Sequence, residues 1–98
     1  MRFEWDAVKS HRNLAKHRIS FETASLVFGD PHMLVQGDRI VEHEERWQAL
    51  GSIEGAIIVL VAHTYREEDG EEMVRIISAR KATAAERKAY EEAYEKPN

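Results

Sequence analysis

The first third of the chain carries apolar residues at helical spacing. Asp6 can cap a first helix that runs to about Lys16, with apolar residues recurring every three to four positions. Ser20 can cap a second helix, and the stretch 29–31 (Gly-Asp-Pro) ends it. The pattern therefore predicts two N-terminal helices in a hairpin, preceded by a short strand at residues 3–5.

The middle of the chain changes to the pattern of strands. Apolar runs separated by turn residues predict strands at 33–36, 46–53, 57–65 and 73–80, with turns at 37–38, 54–55 and 69–70. Residues 56–62 are continuously apolar, which indicates the central strand. Because hairpin connections this short force neighbouring strands antiparallel, we expect an antiparallel meander.

A final helix follows the last predicted strand. Thr83 and Glu86 have the spacing of a capping box, which opens a helix. The predicted fold class is thus α+β, with two N-terminal helices, a meander sheet, a C-terminal helix and the helices mainly on one sheet face. With 98 residues, of which 43% are hydrophobic, the chain has material for one core, so we expect a single domain over residues 1–98.

Composition excludes several classes of protein. No stretch approaches the roughly 18 apolar residues of a membrane span, and the N-terminus lacks the apolar run of a signal peptide, so we expect a cytoplasmic protein without membrane contact. The chain has no cysteine, which excludes disulfides and a thiolate nucleophile. Its five histidines are scattered, and we therefore expect neither a metal site nor a cofactor.

Charge is segregated along the chain, although the net charge is −4. No acidic residue lies between Asp6 and Glu22, a stretch that holds several basic side chains, and a second basic cluster spans residues 75–88. Such segregation permits a locally positive cleft on a negative protein. Within these clusters, Lys9, Arg12, Lys16 and Lys81 are the cationic side chains that we predict to bind the phosphates of a nucleic acid.

Six segments together resemble the BrnT family of toxins. They are residues 3–6 (FEWD), 13–17 (NLAKH), 19–24 (ISFETA), 27–31 (VFGDP), 45–51 (ERWQALG) and 75–90 (RIISARKATAAERKAY). One departure is Arg18, where the family commonly has glycine. The resemblance implies a RelE-like fold and RNA cleavage that stops translation. It also implies neutralisation, in a hetero-oligomer, by an antitoxin of the BrnA type whose other part binds DNA.

RNA cleavage without a metal needs cations that hold the extra negative charge on the phosphate, and arginine suits this task because its planar fork grips phosphate. Arg46, Arg75 and Arg80 all lie in predicted strands. Strand alternation places Arg75 and Arg80 on opposite faces unless a bulge intervenes. His17 is a candidate general base, and Tyr90 a candidate proton donor.

Each candidate has a structural alternative. Arg80 and Arg75 can form salt bridges, Arg80 also to the closing helix, and Arg46 can pair with the neighbouring glutamates. His17 can bond a backbone carbonyl between the helices, Lys16 can be merely solvated, and Tyr90 can pack with Tyr94.

Two function classes remain open on the sequence. The first is a metal-independent ribonuclease toxin, and the second is a non-catalytic RNA- or protein-binding module of the same fold. For the toxin we expect an antitoxin segment that lays acidic and apolar side chains across Lys16, His17 and Arg80.

Overall fold

The computed structural model describes residues 1–95. These residues form five strands and three α-helices, with one 3₁₀ helix. In order they are β1 (Arg2–Glu4), α1 (Ala7–His17), α2 (Phe21–Ala24), the 3₁₀ helix (Ser25–Gly29), β2 (Leu34–Val41), β3 (Glu44–Ile53), β4 (Ile57–Glu68), β5 (Glu71–Lys81) and α3 (Ala84–Glu95). Among residues 1–95, no helix has both the length and the apolar character needed to cross a bilayer.

The strands form one sheet in the order β1-β5-β4-β3-β2. Strands β2 to β5 make the predicted antiparallel meander, with β4 in the centre as expected. The expectation of a wholly antiparallel sheet is wrong, because β1 pairs with β5 in parallel. A helix rather than a hairpin follows β1, so no short connection dictates its direction. The fold class is α+β with a mixed sheet.

One predicted turn is misplaced. Strand β2 continues through Gly37, where a register shift marks a bulge, and the chain turns instead at Glu42 and His43, with φ of 50° and 67°. The Gly37-Asp38 pair therefore serves the bulge, which is a common use of glycine within a strand. The predicted turns at Gly55 and Gly70 are confirmed, with φ of 68° and 79°.

Helix α1 agrees with its prediction at both ends. The Asp6 carboxylate accepts hydrogen bonds from the N–H groups of Val8 and Lys9 at 2.8 and 3.1 Å. The helix ends at Arg18, whose φ of 64° is the left-handed conformation that favours glycine. Glycine adopts this conformation without strain, whereas Arg18 adopts it with a side chain.

The predicted second helix is shorter than expected. It comprises one α-turn capped by Ser20, followed by the 3₁₀ helix. The tighter winding brings Val27 against β3, where a Cβ on Gly51 would lie 2.8 Å from Val27 Cγ1. Residues 21–28 thus form a buried face, as their spacing predicts, but the prediction of one continuous α-helix is wrong.

Buried Asn13 joins α1 to the sheet. Its amide nitrogen donates to the carbonyls of Ile19 and Ala79 at 2.7 and 2.8 Å, and its oxygen accepts from the Ala79 N–H at 3.2 Å. Strand β1 pairs with β5 only up to Arg75, so Asn13 takes the place of a strand partner further along that edge.

Two apolar clusters lie on opposite faces of the sheet. The larger joins the sheet to α2 and the 3₁₀ helix; its members include Ile19, Phe21, Ala24, Val27, Ala49, Ile53, Val59, Val61, Val74, Ile76 and Ala79. The smaller comprises Leu50, Leu60, Ala82 and Tyr90, with Tyr90 contributed by α3. The closing helix thus lies on the face opposite α2.

A histidine lies within the larger core. His63 is fully buried, its Nδ1 lies 3.0 Å from the Val61 carbonyl oxygen, and the edge-on rings of Phe28 and Tyr65 flank it. Its Nε2 is buried without a hydrogen-bond partner among the described residues. Burial lowers the pKa of His63, outweighing the opposing effects of the Val61 carbonyl and Glu72.

This arrangement predicts a loss of stability in mild acid. An unfolded chain protonates its histidines near pH 6.5, whereas buried His63 resists protonation, so the unfolded state binds more protons as pH falls. We expect the free energy of unfolding, measured by urea unfolding, to decline as pH falls below about 6.5. The decline should be smaller in His63→Phe and unchanged in His43→Gln, at an exposed position. Equal slopes in all three proteins would contradict the prediction.

Candidate functional site

A bulge in β5 decides where two arginines lie. Ala62 pairs with Ser78, but the next residue of β4, His63, pairs with Ile76, so Ile77 has no partner. The extra residue shifts the alternation of β5 by one position. Arg75, opposite Thr64, and Arg80, opposite Leu60, therefore lie on the same face of the sheet. The condition that the sequence left open, a bulge between the two arginines, is met.

Arg46 joins them on that face. Trp47 pairs with His63 and Gln48 with Ala62, which places Arg46 beside Thr64. We call this surface the arginine face; it is opposite α2 and consists of Arg46, Gln48, Ala62, Thr64, Arg75, Ser78 and Arg80. Arg46 is half-buried, and its Nε is buried without a hydrogen-bond partner within residues 1–95.

Arg80 is held by the closing helix. Its two terminal nitrogens donate to the two carboxylate oxygens of Glu86 at 2.7 and 3.0 Å. The same carboxylate accepts from the Thr83 N–H, while Thr83 Oγ1 accepts from the Glu86 N–H, so the predicted capping box is confirmed. The Arg80 guanidinium, helped by Thr83, lowers the pKa of Glu86 to about 2. The predicted alternative of a contact to the last helix is therefore present.

Arg75 is less constrained. Glu4 is its register partner on β1, but the Glu4 carboxylate contacts the Arg66 guanidinium at 2.7 Å. In the described part of the chain, no side-chain hydrogen bond or ion pair engages Arg75. The hydrogen bond from the Lys9 N–H lowers the pKa of the Asp6 carboxyl, and the nearby Arg75 guanidinium adds a smaller lowering effect.

Helix α1 carries three exposed cations on one stripe. Lys9, Arg12 and Lys16 are spaced by three and four residues, so they share one side of the helix. His11 and Leu14 lie on the other side, in a groove toward Ser20. The predicted RNA-binding residues of α1 are thus collected on the side turned away from α2.

Two of the predicted site residues, His17 and Lys81, lie apart from the arginine face and from the cationic stripe of α1. His17 is half-buried on the stripe of Asn13, which faces the edge of β5. Lys81 is exposed and pairs with Val59, so it belongs to the face opposite Arg80. The structure therefore does not bring Lys81 onto the arginine face.

The Tyr90 hydroxyl is engaged by a residue that the sequence did not single out. It donates to Asp30 at 2.5 Å, and the same carboxylate accepts from the N–H groups of Ser52 and His32 at 2.7 and 2.8 Å. Burial and the bond to Asp30 raise the pKa of Tyr90 to about 12. Tyr90 also stacks on Tyr94, with ring centroids 6.4 Å apart.

Asp30 is the centre of this arrangement. Burial raises its pKa, but the hydrogen bonds from Ser52, Tyr90 and His32 outweigh that effect, so the net shift is downward. In the sequence, Asp30 between glycine and proline indicated only the end of a helix. The ionised carboxylate instead anchors α3 to the start of the meander.

The fold and the arginine face define a small α+β protein with a cationic sheet surface suited to a polyanion. The comparisons with known proteins agree with that class. Residues 5–86 match the family described as ribonuclease toxin, BrnT, of type II toxin-antitoxin system. The chain therefore belongs to the BrnT toxin family.

A solved structure supports the assignment. The chain is similar to the ribonuclease toxin BrnT of Brucella abortus, known from a 1.1 Å crystal structure, with 25% identity and a TM-score of 0.59. The match covers 85% of this chain and 97% of that one. No curated protein matches. The α+β fold, the toxin family and the ribonuclease class are thus confirmed, while the RelE-like label stays a prediction.

Proposed function

We propose that this chain is a metal-independent endoribonuclease that cleaves cellular RNA on the arginine face and thereby inhibits translation. The observation that carries the proposal is the bulge at Ile77, which gathers Arg46, Arg75 and Arg80 on one face. Arg46 and Arg75 lie on either side of Thr64, so their guanidinium groups can contact one phosphate, whereas Arg80 lies further along β5 and is held by Glu86. Family membership supports the reaction class.

In the proposed reaction the ribose 2′-oxygen attacks the adjacent phosphorus. The bond from phosphorus to the 5′-oxygen breaks, leaving a 2′,3′-cyclic phosphate and a 5′-hydroxyl. Negative charge grows on the non-bridging oxygens in the transition state, and fixed guanidinium donors stabilise it there. Because Arg75 has no competing side-chain partner within residues 1–95, we assign it the closest phosphate contact.

Proton transfer completes the reaction. The 2′-hydroxyl proton goes to a general base, and the 5′-oxygen takes up a proton. His17 is the candidate base from the sequence, but it lies on α1 apart from the arginine face, so as base it must reach the ribose across the edge of β5. For Tyr90 we propose an anchoring function, because its proton is already donated to Asp30 and its raised pKa makes it a poor acid. Its predicted use as proton donor would require that bond to break.

Chelation provides the test of this function. We expect purified protein to cleave single-stranded RNA at the same rate with and without EDTA, because the arginines supply the positive charge that a metal would otherwise supply. Gel analysis should show products with 2′,3′-cyclic phosphate ends. A 2′-deoxy substitution at the cleaved position is the matched control and should block cleavage.

Two outcomes would contradict the proposal in different ways. Abolition of cleavage by EDTA, with recovery on adding a divalent cation, would show a metal-dependent reaction. Binding of RNA without any cleavage would instead favour a non-catalytic module of the same fold.

A type II toxin has an antitoxin partner, and we propose one of the BrnA type, whose DNA-binding part links the complex indirectly to DNA. We place its binding segment across Lys16, His17 and Arg80, where acidic side chains can mimic RNA phosphates and apolar ones can anchor. RNA as substrate places the action in the cytoplasm. A dimeric antitoxin would carry two toxin copies, giving a hetero-oligomer.

If acidic side chains of the antitoxin mimic RNA phosphates, the rate of its association with the toxin should depend on salt. Rising salt should slow association of toxin and antitoxin while leaving dissociation nearly unchanged, because screening weakens long-range attraction. Stopped-flow mixing over a salt series measures both rates. Lys16→Ala should reduce the salt dependence, whereas Lys88→Ala, on α3, should not. An association rate indifferent to ionic strength would contradict the proposed mimicry.

A further inference from the structure

A groove opens beside the arginine face, between α3 and the β2 edge of the sheet. Its volume is about 180 Å³. Apolar side chains supplied by Leu34, Leu50, Leu60 and Ala89 form its walls, and the amides of Gln36 and Gln48 lie along it. A space of this size admits one planar ring system, whereas a helix with side chains is about 10 Å across.

The groove is continuous with the proposed site. Gln48 lies between Arg46 and Leu50 in the alternation of β3, so it belongs to both the arginine face and the groove. On the other wall, Glu86 lines the groove and holds Arg80. A phosphate on the arginine face therefore places its neighbouring nucleotide at the mouth of the groove.

The two amides are available to a ligand. Gln36 Nε2 lies 3.5 Å from Gln48 Oε1, a distance at the weak limit for a hydrogen bond. Within residues 1–95, Gln48 Nε2 and Gln36 Oε1 have no hydrogen-bond partner, which leaves one donor and one acceptor in the groove for a ligand. Adenine offers an acceptor and a donor next to each other, the pairing that a glutamine side chain can satisfy.

We propose that this groove binds one nucleobase next to the cleaved phosphate and that Gln48, with Gln36, favours adenine there. The proposal rests on the proposed ribonuclease function and assigns its base specificity. The leucine side chains cover the faces of the base, and the amides contact its edge. Apolar walls with a few placed polar groups are the usual composition of a small-molecule site.

The experiment maps cleavage sites on a pool of random-sequence RNA by sequencing the new ends. Wild-type protein should show adenine enriched at one position beside the cut. Gln48→Leu should reduce that enrichment about tenfold, because the variant removes the donor to the base and leaves the Gln36 amide without its partner. Ile40→Ser is the matched control on β2, because Ile40 pairs with Glu45 on the opposite face, and its profile should equal that of wild type.

The contrary outcomes distinguish an error in the groove assignment from an error in the proposed function. Cleavage without base preference, or a preference that persists in Gln48→Leu, would overturn the groove assignment alone. An unchanged profile together with weaker inhibition of Gln48→Leu by the antitoxin would overturn it in favour of a protein anchor. No RNA cleavage by folded wild-type protein would overturn the proposed function and this inference with it.

Discussion

Replacing Arg75 with alanine is expected to lower the rate of RNA cleavage about 100-fold, which is the usual cost of losing one fixed donor at a transition state. Arg75 lies on the arginine face without a side-chain partner in the described chain, so its loss leaves no buried charge unpaired. Unfolding stability should therefore change little. The measurement is single-turnover cleavage of a defined RNA, with urea unfolding of the same samples.

Two further variants separate charge from geometry. Arg75→Lys keeps the charge but loses the planar fork, so most of the rate should still be lost. Arg2→Ala removes the same charge from an exposed position on β1, beside Met73, and should cleave at nearly the wild-type rate. Equal rates in Arg75→Ala and Arg2→Ala would contradict a direct phosphate contact by Arg75.

Replacing Asn13 with alanine is expected to reduce the free energy of unfolding by about 3 kcal/mol. The variant removes three hydrogen bonds and leaves the N–H and C=O of Ala79 and the C=O of Ile19 buried without partners. Urea unfolding should show a lower midpoint at nearly unchanged slope.

The neighbouring position provides the control for stability. Arg12 is exposed on the same helix, and Arg12→Ala should alter stability by no more than about 0.5 kcal/mol. A loss below about 1 kcal/mol in Asn13→Ala would show that water or local adjustment satisfies the Ala79 groups, and α1 would then need another attachment to the edge of β5.

Local signals predicted most of the meander. Gly55 and Gly70 mark turns that need left-handed backbone, and the apolar run of β4 identified the central strand. The same use of glycine as a turn signal gave the wrong position for the turn after β2. Its left-handed positions are held by Glu42 and His43, which carry no glycine signal, while Gly37 was available but serves a bulge.

Arg75 and Arg80 share a face because of a β-bulge, and this bulge has no signature in the sequence. Ile77 is an ordinary strand residue, yet its lack of a partner on β4 decides that Arg75 and Arg80 share a face. A bulge arises from how two strands fit together, so alternation within β5 alone predicted opposite faces. Sequence therefore identified the arginines but could not establish that they lie together.

The sequence also did not predict hydrogen bonds between residues that are far apart in the chain. Asn13 bonds Ala79 at a separation of 66 residues, and Tyr90 bonds Asp30 at a separation of 60. The residue spacing within a helix or a strand predicts neither of these two hydrogen bonds. On the sequence alone, Asp30 indicates the end of a helix, and Asn13 is one of several polar positions of α1. The parallel pairing of β1 is a similar case, since it depends on where α1 returns the chain.

The central claim is that RNA lies on the arginine face. The most direct test is an NMR titration of ¹⁵N-labelled protein with an RNA oligonucleotide that carries 2′-methoxy groups and so cannot be cleaved. The account predicts saturable shifts of backbone amides in the open part of β3, β4 and β5, around Arg46, Thr64 and Arg75, which Arg75→Ala weakens. Shifts confined to α2 and the opposite face of the sheet would contradict it.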